Sequence, residues 1–207
     1  NIAYRAFYTH SKKARVLEFC LSLKNSCGII YCQTRRGVRE IESMLKSEGV
    51  SCGMYHGGMK NTERKKSMQQ WMQNHNKVMV ATNAFGMGID KPDVRYVIHY
   101  DTSDSIEAYF QESGRGGRDQ QNAIALLFYN EKDIKTLKKN VAIKFPDTHK
   151  IAKLYSKLFQ HFKIAYGDGK DQVVEINIQE FATQHELETL LVYHGLKILE
   201  IKTSVSN

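Results

Sequence analysis

An α/β fold, with a parallel sheet covered by helices on both faces, is predicted by three features of this 207-residue chain. Short apolar runs recur at residues 28–32, 50–56, 78–82, 94–100 and 123–129. The segments between most of them carry apolar residues at helical spacing. Most of the runs are near-continuously apolar, as strands buried on both faces require.

The elements follow in order. Ser11 opens a helix with Val16, Leu17, Cys20, Leu21 and Leu23 on one side, and residues 28–32 read as a buried strand. Val38, Ile41, Met44 and Leu45 form a second helical stripe that Gly49 stops. Residues 50–56 are a strand, Gly57-Gly58 a loop, and Met68, Trp71 and Met72 mark a third helix. Residues 78–82 and 94–100 are strands separated by a glycine-containing loop. A short helix at 106–112 leads into an arginine segment, followed by a strand at 123–129 and a basic helix at about 132–139.

The pattern changes after Pro146. Ile151, Leu154, Tyr155 and Leu158 suggest a helix, Gly167-Asp168-Gly169-Lys170 a turn, and residues 173–178 an alternating strand. Two short helices at 181–187 and 190–199 follow. Helix, strand and helix-turn-helix is the order of a winged-helix-like α+β module. A small helical appendage is the alternative. The expected domains are therefore 1–145 and 146–207.

Composition narrows the function classes. A formal charge of +8 and a pI near 9.2 favour an anionic partner, most simply nucleic acid. Cys20, Cys27, Cys32 and Cys52 show no C-x-x-C pair, so no zinc or other metal site is expected. Reduced, buried thiols suit an intracellular protein. No signal peptide and no membrane-spanning apolar run are visible. The chain opens at Asn1 directly into structured-looking sequence and reads as a fragment of a longer polypeptide.

The most informative segment is Gln111-Glu112-Ser113-Gly114-Arg115-Gly116-Gly117-Arg118-Asp119. Arginine keeps its charge, and its planar fork matches phosphate oxygens at two points. If the turn is helical, Arg115 and Arg118 share a face at i,i+3. A second phosphate-type element precedes it, Thr82-Asn83-Ala84-Phe85-Gly86-Met87-Gly88-Ile89-Asp90, after a buried strand. Thr82 and Asn83 can donate to phosphate, Gly86 and Gly88 can present backbone N–H groups, and Asp90 can accept from a ribose hydroxyl. Other matches fail. Gly167-Asp168-Gly169-Lys170 lacks P-loop spacing, and His185-Glu186 lacks the second histidine of a zinc protease motif, since Thr189 stands there. With no recognisable P-loop, the chain can supply arginine fingers but not a whole NTP-hydrolysing site.

These motifs resemble the second RecA-like lobe of a superfamily 2 helicase, and specifically of a RecQ-type ATP-dependent DNA helicase. Residues 28–32 resemble its motif IV strand, residues 80–95 its motif V, and residues 109–119 its motif VI, and the likeness covers about residues 1–140. DEAD-box RNA helicases usually carry His-Arg-Ile-Gly-Arg-Thr-Gly-Arg where this chain has the sequence from Gln111 to Arg118. The family usually has alanine at or beside Gly117, and its four-cysteine zinc module after motif VI has no counterpart here, because no cysteine follows Cys52.

The resemblance implies roles. Arg115 and Arg118 would reach ATP phosphates across a lobe interface, with Arg118 the principal finger. Gln111, Gly88 and Asp90 would contact the nucleotide. Thr34, Arg35, His56, Thr82 and Asn83 would lie along a DNA track, positioning the strand without reading its sequence. It also implies ATP and Mg²⁺, bound mainly by an N-terminal RecA-like lobe outside this chain. Single-stranded and partly duplex DNA would be the partners, with 3′-to-5′ movement. Roles in DNA repair and recombination would follow, in the cytoplasm at the nucleoid if bacterial and in the nucleus if eukaryotic. Two rival readings are a non-catalytic nucleic-acid-binding module and an RNA-directed superfamily 2 helicase.

Overall fold

A computed structural model describes residues 1–86, 88–165, 168 and 173–204. The chain divides into two compact units, Asn1–Ile134 and Lys135–Asn207. The division falls inside a helix rather than at the expected 145/146 boundary.

The first unit alternates β1 (Ile2–Tyr8), α1 (Lys12–Ser22), β2 (Cys27–Tyr31), α2 (Arg35–Ser47), β3 (Cys52–Tyr55), α3 (Asn61–Met72), β4 (Val78–Ala81), β5 (Val94–His99), α4 (Ile106–Ser113) and β6 (Ala123–Tyr129). The six strands form one sheet in the order β1-β6-β5-β2-β4-β3, and every pairing is parallel. Period-two alternation sorts the strand side chains into two layers. Ile30, Val80 and Ile98 pack with Val16 of α1 and with Val38, Ile41 and Leu45 of α2. Ile29, Tyr31, Met79 and Val97 pack on the other face with Trp71 of α3. Each large side chain so buried contributes about 1.5–3 kcal/mol. Gly28 of β2 is required by packing: a Cβ there would lie 2.0 Å from the Tyr96 ring.

Local chemistry sets the helix ends. Thr34 caps α2 by accepting from the Gly37 N–H at 3.0 Å, and Ser105 caps α4 by accepting from Ala108 at 3.1 Å. Gly49, with φ of 72°, follows the end of α2 in the left-handed conformation that suits glycine. Ser11 stands at the N-cap of α1, but its side chain makes no capping bond. Strand β1 is absent from the sequence reading. Its Tyr4, Phe7 and Tyr8 are all substantially exposed on an edge strand, so no period-two burial signal marks it.

In the second unit, α5 (Glu131–Lys144) begins just before the division, and α6 (Thr148–Phe162), α7 (Ile178–Gln184) and α8 (Thr189–Ser204) follow. Leu154, Phe181, Ala182 and Val192 form its core. Gly195 lets α8 approach α6, since a Cβ there would meet the Leu154 side chain at 2.4 Å. The strand expected over residues 173–178 is not formed: 173–177 have no regular structure and Ile178 opens α7. Val173 is 96% exposed, so the alternation there has no layer to pack against. Every regular element among the described residues of this unit is a helix, which departs from an α+β module and fits the helical alternative for its internal structure. The turn expected at 167–170 lies outside the described residues apart from Asp168.

Candidate functional site

The glycine-bearing loop leaves the carboxyl end of β4 and runs back to the start of β5, and the arginine segment meets it toward the amino end of β5. Connections leave β2 in one direction across the sheet and β5 in the other, so the topological switch point, where open α/β sheets bind ligands, lies at the carboxyl ends of these two strands, beside the cleft that Thr34, Asn83 and His99 line.

The arginines do not share a helical face. Helix α4 ends at Ser113, and Gly117 turns the backbone with φ of 62° while its N–H donates to the Val94 carbonyl at 2.9 Å. The arginines come together because both bond to the loop at residues 82–90. The Arg115 Nη1 donates to the Gly86 carbonyl at 2.6 Å. Its Nε is buried with no partner among the described residues. The Arg118 Nη1 donates to Asp90 Oδ1 at 2.8 Å, with side chains 39% and 81% exposed. Arg118 thus presents a charged fork at the surface, while Arg115 is partly inset and tied to the loop. Gly88 has φ of 75° and nothing within 4 Å of where a Cβ would stand, which leaves its backbone accessible. Gln111 is exposed on α4.

The expected strand contacts separate into three situations. Thr34 and Asn83 line one cleft of about 200 Å³ together with Tyr31, His99 and Thr102. Arg35 is exposed, and its guanidinium lies against Gly58, where a Cβ would meet Nη1 at 2.7 Å. Thr82 is largely buried, and its hydroxyl accepts from the Ala84 N–H at 3.4 Å. His56 departs from the expected phosphate contact: it is 4% exposed, and neither ring nitrogen has a partner among the described residues. Burial lowers its pKa, and Arg39 and Arg35 lower it further.

The sequence reading missed a set of polar links, some partly buried and some at the surface. The Glu112 carboxylate meets His99 Nε2 at 2.9 Å and accepts from Ser103 Oγ at 2.7 Å. Asp101 accepts from the Gln33 N–H at 2.9 Å and from Lys12, which also reaches Asp133 at 2.7 Å. Arg95 pairs with Asp119 at 2.6 Å. No spacing rule joins such partners, because their proximity exists only once the strands are assembled. The four cysteines are buried and free, and burial raises the Cys20 thiol to about 11 and those of Cys27 and Cys52 to about 12. Among the described residues no cluster of His, Cys, Asp and Glu could hold a metal ion, and no helix is long and apolar enough to cross a membrane.

Comparison with known proteins places this geometry. The chain is 41% identical over 148 residues to the ATP-dependent DNA helicase RecQ of Haemophilus influenzae, covering 72% of this chain and 24% of that protein. It is 49% identical over 111 residues to the ATP-dependent DNA helicase Q1 of Rattus norvegicus, covering 54% of this chain and 18% of that protein. The chain thus spans about a quarter or less of the length of these relatives. Among solved structures, a DEAD box protein from the hyperthermophile Methanococcus jannaschii superposes with a TM-score of 0.57 at 27% identity, covering 67% of this chain and 38% of that one. The model for the helicase conserved C-terminal domain matches residues 11–120, and the chain belongs to that family.

Proposed function

We propose that the chain is the C-terminal motor lobe of an ATP-dependent DNA helicase, working with a companion RecA-like lobe of the same polypeptide. The observation that carries this reading is the docking of Arg115 and Arg118 on one loop, with the Arg118 guanidinium facing out beside Asp90. A guanidinium held in place before the reaction stabilises charge on a transferring phosphoryl group without reorganising at that moment. The donor set fits part of a nucleotide phosphate site: exposed Arg118, exposed Gln111 and the accessible backbone of Gly88. It has no P-loop, so the companion lobe would hold most of the ATP and its Mg²⁺.

In this reading Arg118 neutralises developing charge on the phosphates, and Asp90 orients it. Arg115 holds the 82–90 loop in register with the arginine segment. Thr34, Arg35 and Asn83, beyond the carboxyl ends of β2 and β4, contact the backbone of a single strand, so that closing and opening the two lobes moves the strand stepwise. Movement 3′-to-5′ belongs to the same proposal. That the two relatives above are DNA helicases supports DNA rather than RNA as the track. Lys138, Lys139, Lys150 and Lys153 supply positive charge on α5 and α6 for phosphates of adjoining DNA, and buried thiols suit an intracellular setting.

The test is ATP hydrolysis by the full-length polypeptide, with and without single-stranded DNA, beside Arg118→Ala. Loss of an arginine finger lowers turnover by about 10³–10⁵-fold. DNA affinity is expected to stay within about twofold, since a finger faces the nucleotide rather than the strand. Hydrolysis that ignores Arg118 would exclude the finger, and a chain that binds DNA without any turnover would be a binding module. Stronger stimulation by RNA than by DNA would reassign the track.

A further inference from the structure

We infer that Glu112 is a positioning residue that links the arginine segment to the strand-contacting edge, so that nucleotide and nucleic acid are sensed together. The inference deepens the motor reading and rests on it. Glu112 lies one helical turn before Arg115, at the end of α4. Its carboxylate has two anchors. One is His99, 0% exposed at the end of β5, and the other is the Ser103 hydroxyl on the loop that follows. That same loop holds the residue before Thr34: the Asp101 carboxylate accepts from the Gln33 N–H, and the Thr102 carbonyl accepts from the Gln33 side chain at 2.8 Å. The link therefore runs from the arginine segment through Glu112 to Ser103, along the backbone to Thr102 and Asp101, and through their hydrogen bonds to Gln33, the neighbour of Thr34, the cap of α2.

Several facts favour a linking role over simple packing. Glu112, His99, Ser103 and Thr34 all line the 200 Å³ cleft that Asn83 also lines, so the carboxylate borders the space where a strand would lie. That border is acidic, with Asp101 and Asp104 nearby, and does not itself attract phosphate. Its carboxylates act on protein donors: Asp101 on Lys12 and the Gln33 N–H, and Glu112 on Ser103 and His99. The Ser103 bond ends on an ionised acceptor, which makes it stronger than a neutral one. A shift of α4 that accompanies engagement of Arg118 must either carry residues 101–103 with it or break that bond. A strand that fixes residues 33–34 biases the same loop from the other side.

The experiment measures hydrolysis by the full-length polypeptide at saturating ATP while single-stranded DNA is titrated. The variants are Ser103→Ala, Glu112→Ala and Glu112→Gln, each with its melting temperature. Ser103→Ala removes only the loop arm and keeps the His99 contact. It is expected to lower the ratio of DNA-stimulated to basal turnover about tenfold, the factor equivalent to ~1.4 kcal/mol. The KM for ATP, basal turnover and Tm should hold. Glu112→Ala should lower the ratio at least as far, and also Tm, because it leaves His99 Nε2 without a partner. Glu112→Gln can still accept from Ser103 and should restore most of the ratio. If the wild type shows DNA-stimulated turnover and Ser103→Ala and Glu112→Ala keep the same ratio, the linking role is overturned while the motor reading stands. A wild type without DNA-stimulated turnover overturns both. Equal losses of basal and stimulated turnover, tracking Tm, would reduce Glu112 to a packing residue.

Discussion

Substituting Gly86 by alanine tests how the arginine segment is held. The Gly86 φ lies outside the left-handed region, so the backbone accepts an L side chain. The obstacle is Arg115: an added Cβ would stand 2.6 Å from Nη2 and 3.3 Å from Cζ. Ordinary contacts begin near 3.4 Å, so the guanidinium must retreat by roughly 1 Å and give up its 2.6 Å bond to the Gly86 carbonyl. The displaced atoms are the far end of a flexible side chain, so the fold should survive. Loss of one charge-assisted hydrogen bond, partly regained with water, costs about 1–2 kcal/mol, or roughly 2–8 °C in Tm for a chain of this size. Function should suffer more, because a displacement of about 1 Å near a reacting group costs on the order of 10²-fold in rate. Calorimetry on the isolated chain and ATP hydrolysis by the full-length polypeptide provide the two readings. Gly86→Ala with wild-type turnover would show that Arg115 needs no docking on this loop. Gly86→Ala that fails to fold would show that the clash is not confined to a side-chain tip.

Two further outcomes follow from the buried polar groups. Lys12, 9% exposed, bridges Asp101 and Asp133, and Lys12→Met should cost about 3 kcal/mol in urea denaturation because two partly buried carboxylates lose their counter-charge; a neutral result would show that water replaces the ammonium without penalty. His56 has a folded pKa lowered by burial and then by Arg39 and Arg35, so the folded state binds its proton less readily than the unfolded state. Its contribution to stability is complete above the unfolded value of about 6.5 and is lost as pH falls through the lower folded value. His56→Leu should therefore flatten the acid limb of the stability–pH curve below about 6.5. It should leave affinity for a labelled single-stranded oligonucleotide unchanged; a fall in affinity would restore His56 to the DNA track.

Much of the first unit was legible because strands β2 to β6 are short apolar runs and most helices carry a stripe, and these are local signals. Val38, Ile41 and Leu45 face the core as their spacing requires, β4 and β5 lie within the residues that the apolar runs mark, and β2 begins one residue before its run. Strand β1 escaped notice because its ladder to β6 is made by the backbone, while its aromatics remain exposed. The alternation at residues 173–178 misled for the opposite reason, a strand-like pattern with no neighbouring strand to pair with. His56 stood on the DNA track only through the family resemblance, and its burial could not be read from the sequence because burial depends on how the surrounding segments close over it.

The sequence by itself determined the α/β alternation and the two segments that carry the candidate site, since periodicity and arginine–glycine chemistry are written along the chain. Tertiary structure decided how those segments act on one another. It placed Arg115 against Gly86 and Arg118 against Asp90, partners 29 and 28 residues apart, and joined Glu112 to Ser103 and His99. Hydrogen bonds between residues remote in sequence arise from the order in which strands assemble, here β5 beside β2 and β2 beside β4. A parallel sheet fixes that order through crossovers that no local pattern encodes.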